Sequence, residues 1–222
     1  MPEAFYIDAF VPVADVLRGP QTKFGGQPIW MQEAVWPVSP DTGKPIRFLG
    51  QIDLAQLPFY FPDPQVVYLF VEIYDSESDK YFPNNYAVIL QSHADGSVQT
   101  PSGPSVSDTE YSVVGKTVED PSWSEMQKIY SDALIKCNME RFELFNGQDG
   151  PSKIGGVPIA LSEVYYEEGE YDDWHLLLQI PECNGFGNSR VQPFRMNYGD
   201  GGTGWFLLSK DSQEAHFSWT SG

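Results

Sequence analysis

The chain has 222 residues, 31 acidic against 13 basic, and its formal net charge of −18 opposes both the phosphate backbone of nucleic acid and an anionic membrane surface. A content of 41% hydrophobic and 14% aromatic residues suffices for a buried core and argues against a disordered chain. Twenty glycines and eighteen prolines suit many short strands and turns better than long helices.

Cys137 and Cys183 stand outside any CxxC pair and read as ordinary buried thiols of a reducing cytosol. Met1-Pro2-Glu3-Ala4 lacks the basic start of a signal peptide, and no apolar run nears the roughly 20 residues of a membrane span. The expected location is therefore cytoplasmic.

In chain order, residues 5–7 read as a short strand and residues 13–17 as a turn of helix ended by Gly19-Pro20. Residues 23–29, Lys-Phe-Gly-Gly-Gln-Pro-Ile, read as a tight corner: paired glycines accept positive φ, and the proline fixes its own φ and withholds an amide. A strand follows at 47–54. Residues 65–74 form the clearest strand, a nearly continuous run of β-formers that implies burial on both faces. With a polar loop at 75–80 and a second arm at 86–90 it makes a long-looped hairpin. Residues 95–109, rich in Gly, Ser, Pro and Asp, read as a linker.

One convincing helix is predicted, at about 122–137. Ser122 and Glu125 fit a capping box, and Met126, Ile129, Tyr130, Ala133, Leu134 and Cys137 form one apolar stripe. Then the corner returns. Residues 153–159, Lys-Ile-Gly-Gly-Val-Pro-Ile, match five of the seven residues of 23–29. Leu49-Gly50-Gln51-Ile52 is echoed by Leu177-Leu178-Gln179-Ile180, and Tyr68-Leu69-Phe70-Val71, more weakly, by Trp205-Phe206-Leu207-Leu208. A second hairpin spans 204–208 and 216–219. The expected fold is α+β, mainly β: one compact domain from an internal duplication of two β-rich halves, 1–110 and 111–222. Halves this small would be marginal alone and are expected to share a core.

Signals for chemistry are sparse. Each glycine pair could present amides to an anion, as a nest does, but no helix start or cluster of bases follows. Gly199-Asp200-Gly201-Gly202-Thr203-Gly204 matches GxGxxG, yet a strand rather than a helix comes after it, so a hairpin turn is the better reading. Asp75-Ser76-Glu77-Ser78-Asp79 alternates oxygen ligands, but Lys80 and Tyr86 stand where a calcium loop wants Gly and a carboxylate. His93, His175 and His216 are far apart and read as lone polar residues. Asp200 and Asp211 are not distinguished as an acid–base pair in so acidic a chain. No catalytic residue, metal ligand or cofactor is assigned.

Together, the Lys-x-Gly-Gly-x-Pro segment at Lys23 to Pro28, the Leu-x-Gln-Ile strand at Leu49 to Ile52, the aromatic hairpin at Val66 to Phe70 and the Gly199-Asp200-Gly201-Gly202 turn resemble the YwqG-like proteins of bacteria, the DUF1963 family. The resemblance covers about residue 20 to the end. It implies a compact, internally duplicated, β-rich protein and brings no catalytic residues. Immunity protein is one functional reading that the resemblance implies, since some members are thought to neutralise toxins used between bacteria.

The densest charge lies in one segment: Tyr165, Tyr166, Glu167, Glu168, Glu170, Tyr171, Asp172, Asp173 and Trp174 interleave aromatic rings with acids. Rings supply buried area and acids meet basic rim residues, so these nine are the candidate partner contacts. Asp75 to Asp79 is the next candidate. Residues 36–41 occupy the matching loop of the first half. The expected function is non-enzymatic capture of a basic protein partner such as a cognate toxin. The alternative is a small-molecule-binding protein or enzyme with a site at the seam of the halves, near the glycine corners; a structural or regulatory module comes third.

Overall fold

The computed structural model describes residues 3–15, 17, 19–57, 65–72, 85–93, 102–120, 122, 125, 151–158, 173–181, 193, 194, 196, 198, 202–211 and 214–220. The strands are β1 (Glu3–Pro12), β2 (Lys23–Gly25), β3 (Arg47–Asp53), β4 (Gln65–Val71), β5 (Tyr86–Ser92), β6 (Glu110–Glu119), β7 (Lys153–Gly155), β8 (Trp174–Pro181), β9 (Thr203–Ser209) and β10 (Ala215–Thr220). Two compact units result: Ala9–Val114, and Met1–Asp8 with Gly115–Gly222. The long strands β1 and β6 each contribute residues to both.

In the unit Ala9–Val114 the hydrogen-bonded order is β6-β2-β3-β4-β5, antiparallel throughout. Val66 to Val71 of β4 are all buried, as an apolar run covered on both faces must be. The register between β3 and β4 passes from Phe48↔Phe70 to Gly50↔Leu69, so Leu49 is the extra residue of a bulge, and it is fully buried. The core on one face gathers Trp30, Met31, Ile46, Phe48, Val66, Tyr68 and Phe70. The Trp30 ring lies 4.5 Å from that of Tyr68 and stacks on Phe70 at 6.0 Å.

In the other unit the order is β1-β7-β8-β9-β10, again antiparallel. Here the bulge falls between Leu176↔Leu207 and Leu178↔Phe206, leaving Leu177 over, and it too is fully buried. Leu176, Trp205 and Leu207 form a buried cluster, with Trp174 packed on it.

Both predicted hairpins are present, β4–β5 and β9–β10. Helix accounts for little of what is described: one 3-10 turn at Leu54–Gln56, where the Ala55 amide donates to the Asp53 side chain. Of the predicted helix at 122–137, only Ser122 and Glu125 are described. They do form the capping box, with the Ser122 amide donating to Glu125 Oε2 at 2.8 Å and the Glu125 amide to Ser122 Oγ at 3.4 Å. The rest of that helix, Cys137, Cys183 and residues 199–201 lie outside the described residues.

Three local expectations are corrected. Residues 13–15 bend rather than coil into helix, because the Val13 amide donates to the Glu110 carbonyl and the Leu17 amide to the Glu110 carboxylate. Residues 102–109 are not a free linker: the Val106 amide donates to the Phe48 carbonyl, the Phe48 amide donates to the Pro104 carbonyl, and Phe48 and Ser105 form a parallel bridge. β6 was not foreseen, since its residues are mostly half-exposed and show no clean alternation.

The glycine corners are as expected. Gly25 and Gly26 have φ of 66° and 63°, and Gly155 and Gly156 have 75° and 78°. A Cβ on Gly25 would strike the Thr109 carbonyl, and one on Gly156 the Asp120 carboxylate. Gly25→Ala and Gly156→Ala are each expected to cost at least the roughly 1–2 kcal/mol of forcing an L side chain into left-handed backbone, with the overlap added. Urea unfolding midpoints measure the loss.

Candidate functional site

Both corners are closed by a buried lysine. In the first, Lys23 is 1% exposed. Its Nζ donates to the Gln27 carbonyl at 2.6 Å, which the two left-handed glycines turn back toward it, and forms an ion pair with Glu110 Oε1. The other Glu110 oxygen accepts the Leu17 amide at 3.0 Å. The Gln27 side chain is itself clamped, exchanging two 2.9 Å hydrogen bonds with the backbone of Gly103.

In the second corner Lys153 and Asp120 are both 0% exposed. Lys153 Nζ donates to the Val157 carbonyl at 2.6 Å and to Asp120 Oδ2 at 2.5 Å. Asp120 also accepts the Tyr6 hydroxyl at 2.6 Å and the Val157 amide at 2.7 Å. A buried charge is tolerated only when it is paired and its lone pairs are satisfied, and Asp120 meets both conditions. The Tyr6 ring lies 5.4 Å from the ammonium and adds a cation–π contact.

Each lysine heads the same cross-strand ladder. Lys23 opposes Gln51, which opposes Tyr68; Lys153 opposes Gln179, which opposes Trp205. The glutamine amides donate to the Gln21 and Pro151 carbonyls at 3.0 and 3.1 Å. Their oxygens accept from Ile29 N at 2.8 Å and from Trp205 Nε1 at 3.0 Å. The motif Lys-x-Gly-Gly-x-Pro with Leu-x-Gln-Ile thus encodes a corner, a bulge and the amide between them. At the second corner the Val157 amide is taken by Asp120, and at the first the Gly26 amide donates to the Ser107 carbonyl at 2.8 Å. The bonds at both corners hold backbone structure.

Burial lowers the ammonium pKa of Lys23 to about 8, and that of Lys153 to about 8 against the opposing pull of Asp120. Both remain protonated at neutral pH, so both ion pairs persist.

Of the nine predicted contact residues, two are described. Asp173 is exposed, and its carbonyl accepts the Lys210 amide at 2.9 Å. Trp174 opens β8, packs on the Leu176, Trp205 and Leu207 cluster, and has its ring 6.1 Å from that of His216. Tyr165, Tyr166, Glu167, Glu168, Glu170, Tyr171 and Asp172 lie outside the described residues, as do Asp75 to Asp79. His93 is not a lone residue: Nε2 lies 2.9 Å from Oδ1 of buried Asp53. Burial and then Lys210 lower the pKa of half-buried His175. Glu110 and Asp120 escaped sequence reading because nothing marks them among 31 acids.

Among the described residues there is no group of three or more His, Cys, Asp or Glu placed to hold a metal, and no helix long and apolar enough to cross a membrane. A family model described as a domain of unknown function, DUF1963, matches residues 22–220, from the residue before Lys23 to the end of β10. The chain belongs to the DUF1963 family. No curated protein matches it. The DUF1963 match takes in both lysine corners together with Glu110 and Asp120.

Lys153→Met is expected to destabilise by about 3–5 kcal/mol, because it strands the Asp120 carboxylate in the interior. Asp120→Ala is expected to be comparably severe, and the double variant to cost less than the two singles added, since both remove one interaction. Urea unfolding of all four proteins measures the coupling. The pH dependence has a defined sign. Both native lysines release protons near pH 8, whereas the unfolded chain holds them to the ordinary 10.5. Between those values the unfolded state binds more protons, so this linkage stabilises the native state as pH rises. The stability advantage of wild type over Lys153→Met is therefore expected to widen from pH 8 to 10 in denaturant titrations.

Proposed function

We propose that this DUF1963 protein is a non-enzymatic binding protein that captures a basic protein partner, acting as an immunity protein that neutralises a toxin. The carrying observation is where the charge resides. The chain is −18 overall, and two of its thirteen bases, Lys23 and Lys153, are withdrawn from the surface into pairs with its own carboxylates. Such an imbalance steers a basic partner in and repels an acidic one. We further propose that the chain is an internal duplication; the matched ladders and matched bulges support it. On that reading the units supply rigid frames and their unlike loops supply specificity. The acidic aromatic segment Tyr165, Tyr166, Glu167, Glu168, Glu170, Tyr171, Asp172, Asp173 and Trp174 has no counterpart in residues 36–41, and rings among acids suit an interface anchor.

Calorimetry against a toxin encoded beside the gene tests the proposal. Binding is expected to weaken steeply with added salt, and to fall by about tenfold or more when Glu167, Glu168, Glu170, Asp172 and Asp173 are changed together to Lys. Absence of binding, or binding indifferent to both, removes the basis for it.

A further inference from the structure

In the unit Ala9–Val114 one side-chain contact joins two strands that share no hydrogen-bonded ladder. Asp53 closes β3 and His93 follows directly on β5, and both strands pair with β4 between them. Asp53 stands opposite Val66, and Val66 opposite Gln91, so the two side chains meet across the first residues of β4. His93 Nε2 lies 2.9 Å from Asp53 Oδ1. The same oxygen accepts the Ala55 amide at 3.1 Å and so starts the 3-10 turn at Leu54–Gln56. One carboxylate oxygen thus holds both the exit of β3 and the end of β5.

The two partners differ in exposure. The Asp53 side chain is 4% exposed and that of His93 30%. A carboxylate so deeply buried needs bonded partners, and among the described residues His93 is the one basic side chain bonded to it. The other ionisable groups on the surrounding elements are engaged elsewhere or point away from the pair. Lys23, opposite Gln51, is bound to Glu110 and to the Gln27 carbonyl. The Tyr68 hydroxyl on β4 donates to the Ile29 carbonyl at 2.8 Å. Glu33, whose carbonyl accepts Gln91 Nε2, has an exposed side chain. Arg47 and Tyr86 stand at the far ends of β3 and β5. The 3-10 turn carries no ionisable side chain, and the chain before β2 meets Asp53 through neutral Thr22.

Histidine ordinarily changes its charge between about pH 5 and 8. A neutral ring gives the carboxylate a plain hydrogen bond; a protonated ring gives a charge-assisted one, about twice as strong. We infer that His93 and Asp53 form a proton-operated clasp: uptake of a proton by His93 tightens β3, the 3-10 turn and the end of β5 against one another, and its loss loosens them. The charged pair exists in the folded chain, so its contribution is full on the acid side of the histidine range and fades as pH rises through it. This regulatory contact does not depend on the partner reading above.

Urea unfolding of wild type, His93→Gln, Asp53→Asn and the double variant at pH 5.5 and pH 8 tests it, since glutamine keeps a donor but takes up no proton. Comparing the four proteins at one pH cancels the other titrating groups. The coupling between the two positions, read as a ratio of unfolding equilibrium constants, is expected to be about fivefold larger at pH 5.5, the scale that separates a charged from a neutral hydrogen bond. Amide exchange reads the clasp locally: protection of the Ala55 amide is expected to rise from pH 8 to pH 5.5 in wild type and not in His93→Gln. That comparison leaves Asp53 in place, so it decides the matter if Asp53→Asn does not fold. A coupling equal at both pH values, or larger at pH 8, overturns the clasp, and so does Ala55 protection that follows pH alike in wild type and His93→Gln.

Discussion

A buried ammonium paired with a carboxylate of its own chain is the interaction on which each unit of this protein turns. Lys153 and Asp120 are both fully buried, and the pair is supported by further partners: Asp120 also accepts from the Tyr6 hydroxyl and the Val157 amide, and Lys153 also donates to the Val157 carbonyl. That arrangement explains the glycines. The carbonyl of the residue after the pair can turn back onto the lysine only through two successive left-handed residues, and the space beside the second glycine is filled by the carboxylate itself. Lysine, glycine pair and acid are thus one device, and replacing any member leaves the others with unmet demands in a low-dielectric interior.

The device also sets register. Lys23 and Lys153 each oppose a glutamine, and that glutamine ties its strand to a carbonyl of the approaching chain. Two residues before each glutamine sits the bulge that buries Leu49 or Leu177. A slip by one residue would turn every side chain to the opposite face, and a fixed amide at a fixed ladder position prevents it. What differs between the units is attached to this frame. Residues 27–46 fold over one sheet as an aromatic strap around Trp30 and Trp36. In the other unit Trp205 takes the glutamine oxygen that Ile29 N takes in the first.

At the second corner the Val157 amide is taken by Asp120, and His93 is engaged with Asp53.

How much of this was legible depends on separation along the chain. The corners were readable because glycine pairs and a following proline act locally, and β4 was readable because a run of β-formers needs only its own residues. β6 was not, because its half-exposed residues keep neither a helical nor a strand period. The amino-acid order alone settled the repeated motif, the positive-φ corners, the two hairpins and the acidic surface, all of them properties of neighbouring residues or of simple sums. Only the tertiary structure could decide which of 31 acids meet the lysines, since Glu110 and Asp120 lie 87 and 33 residues away from their partners. Pairing across such distances is fixed by which strands lie side by side, and that follows from the packing of the whole unit rather than from any local preference.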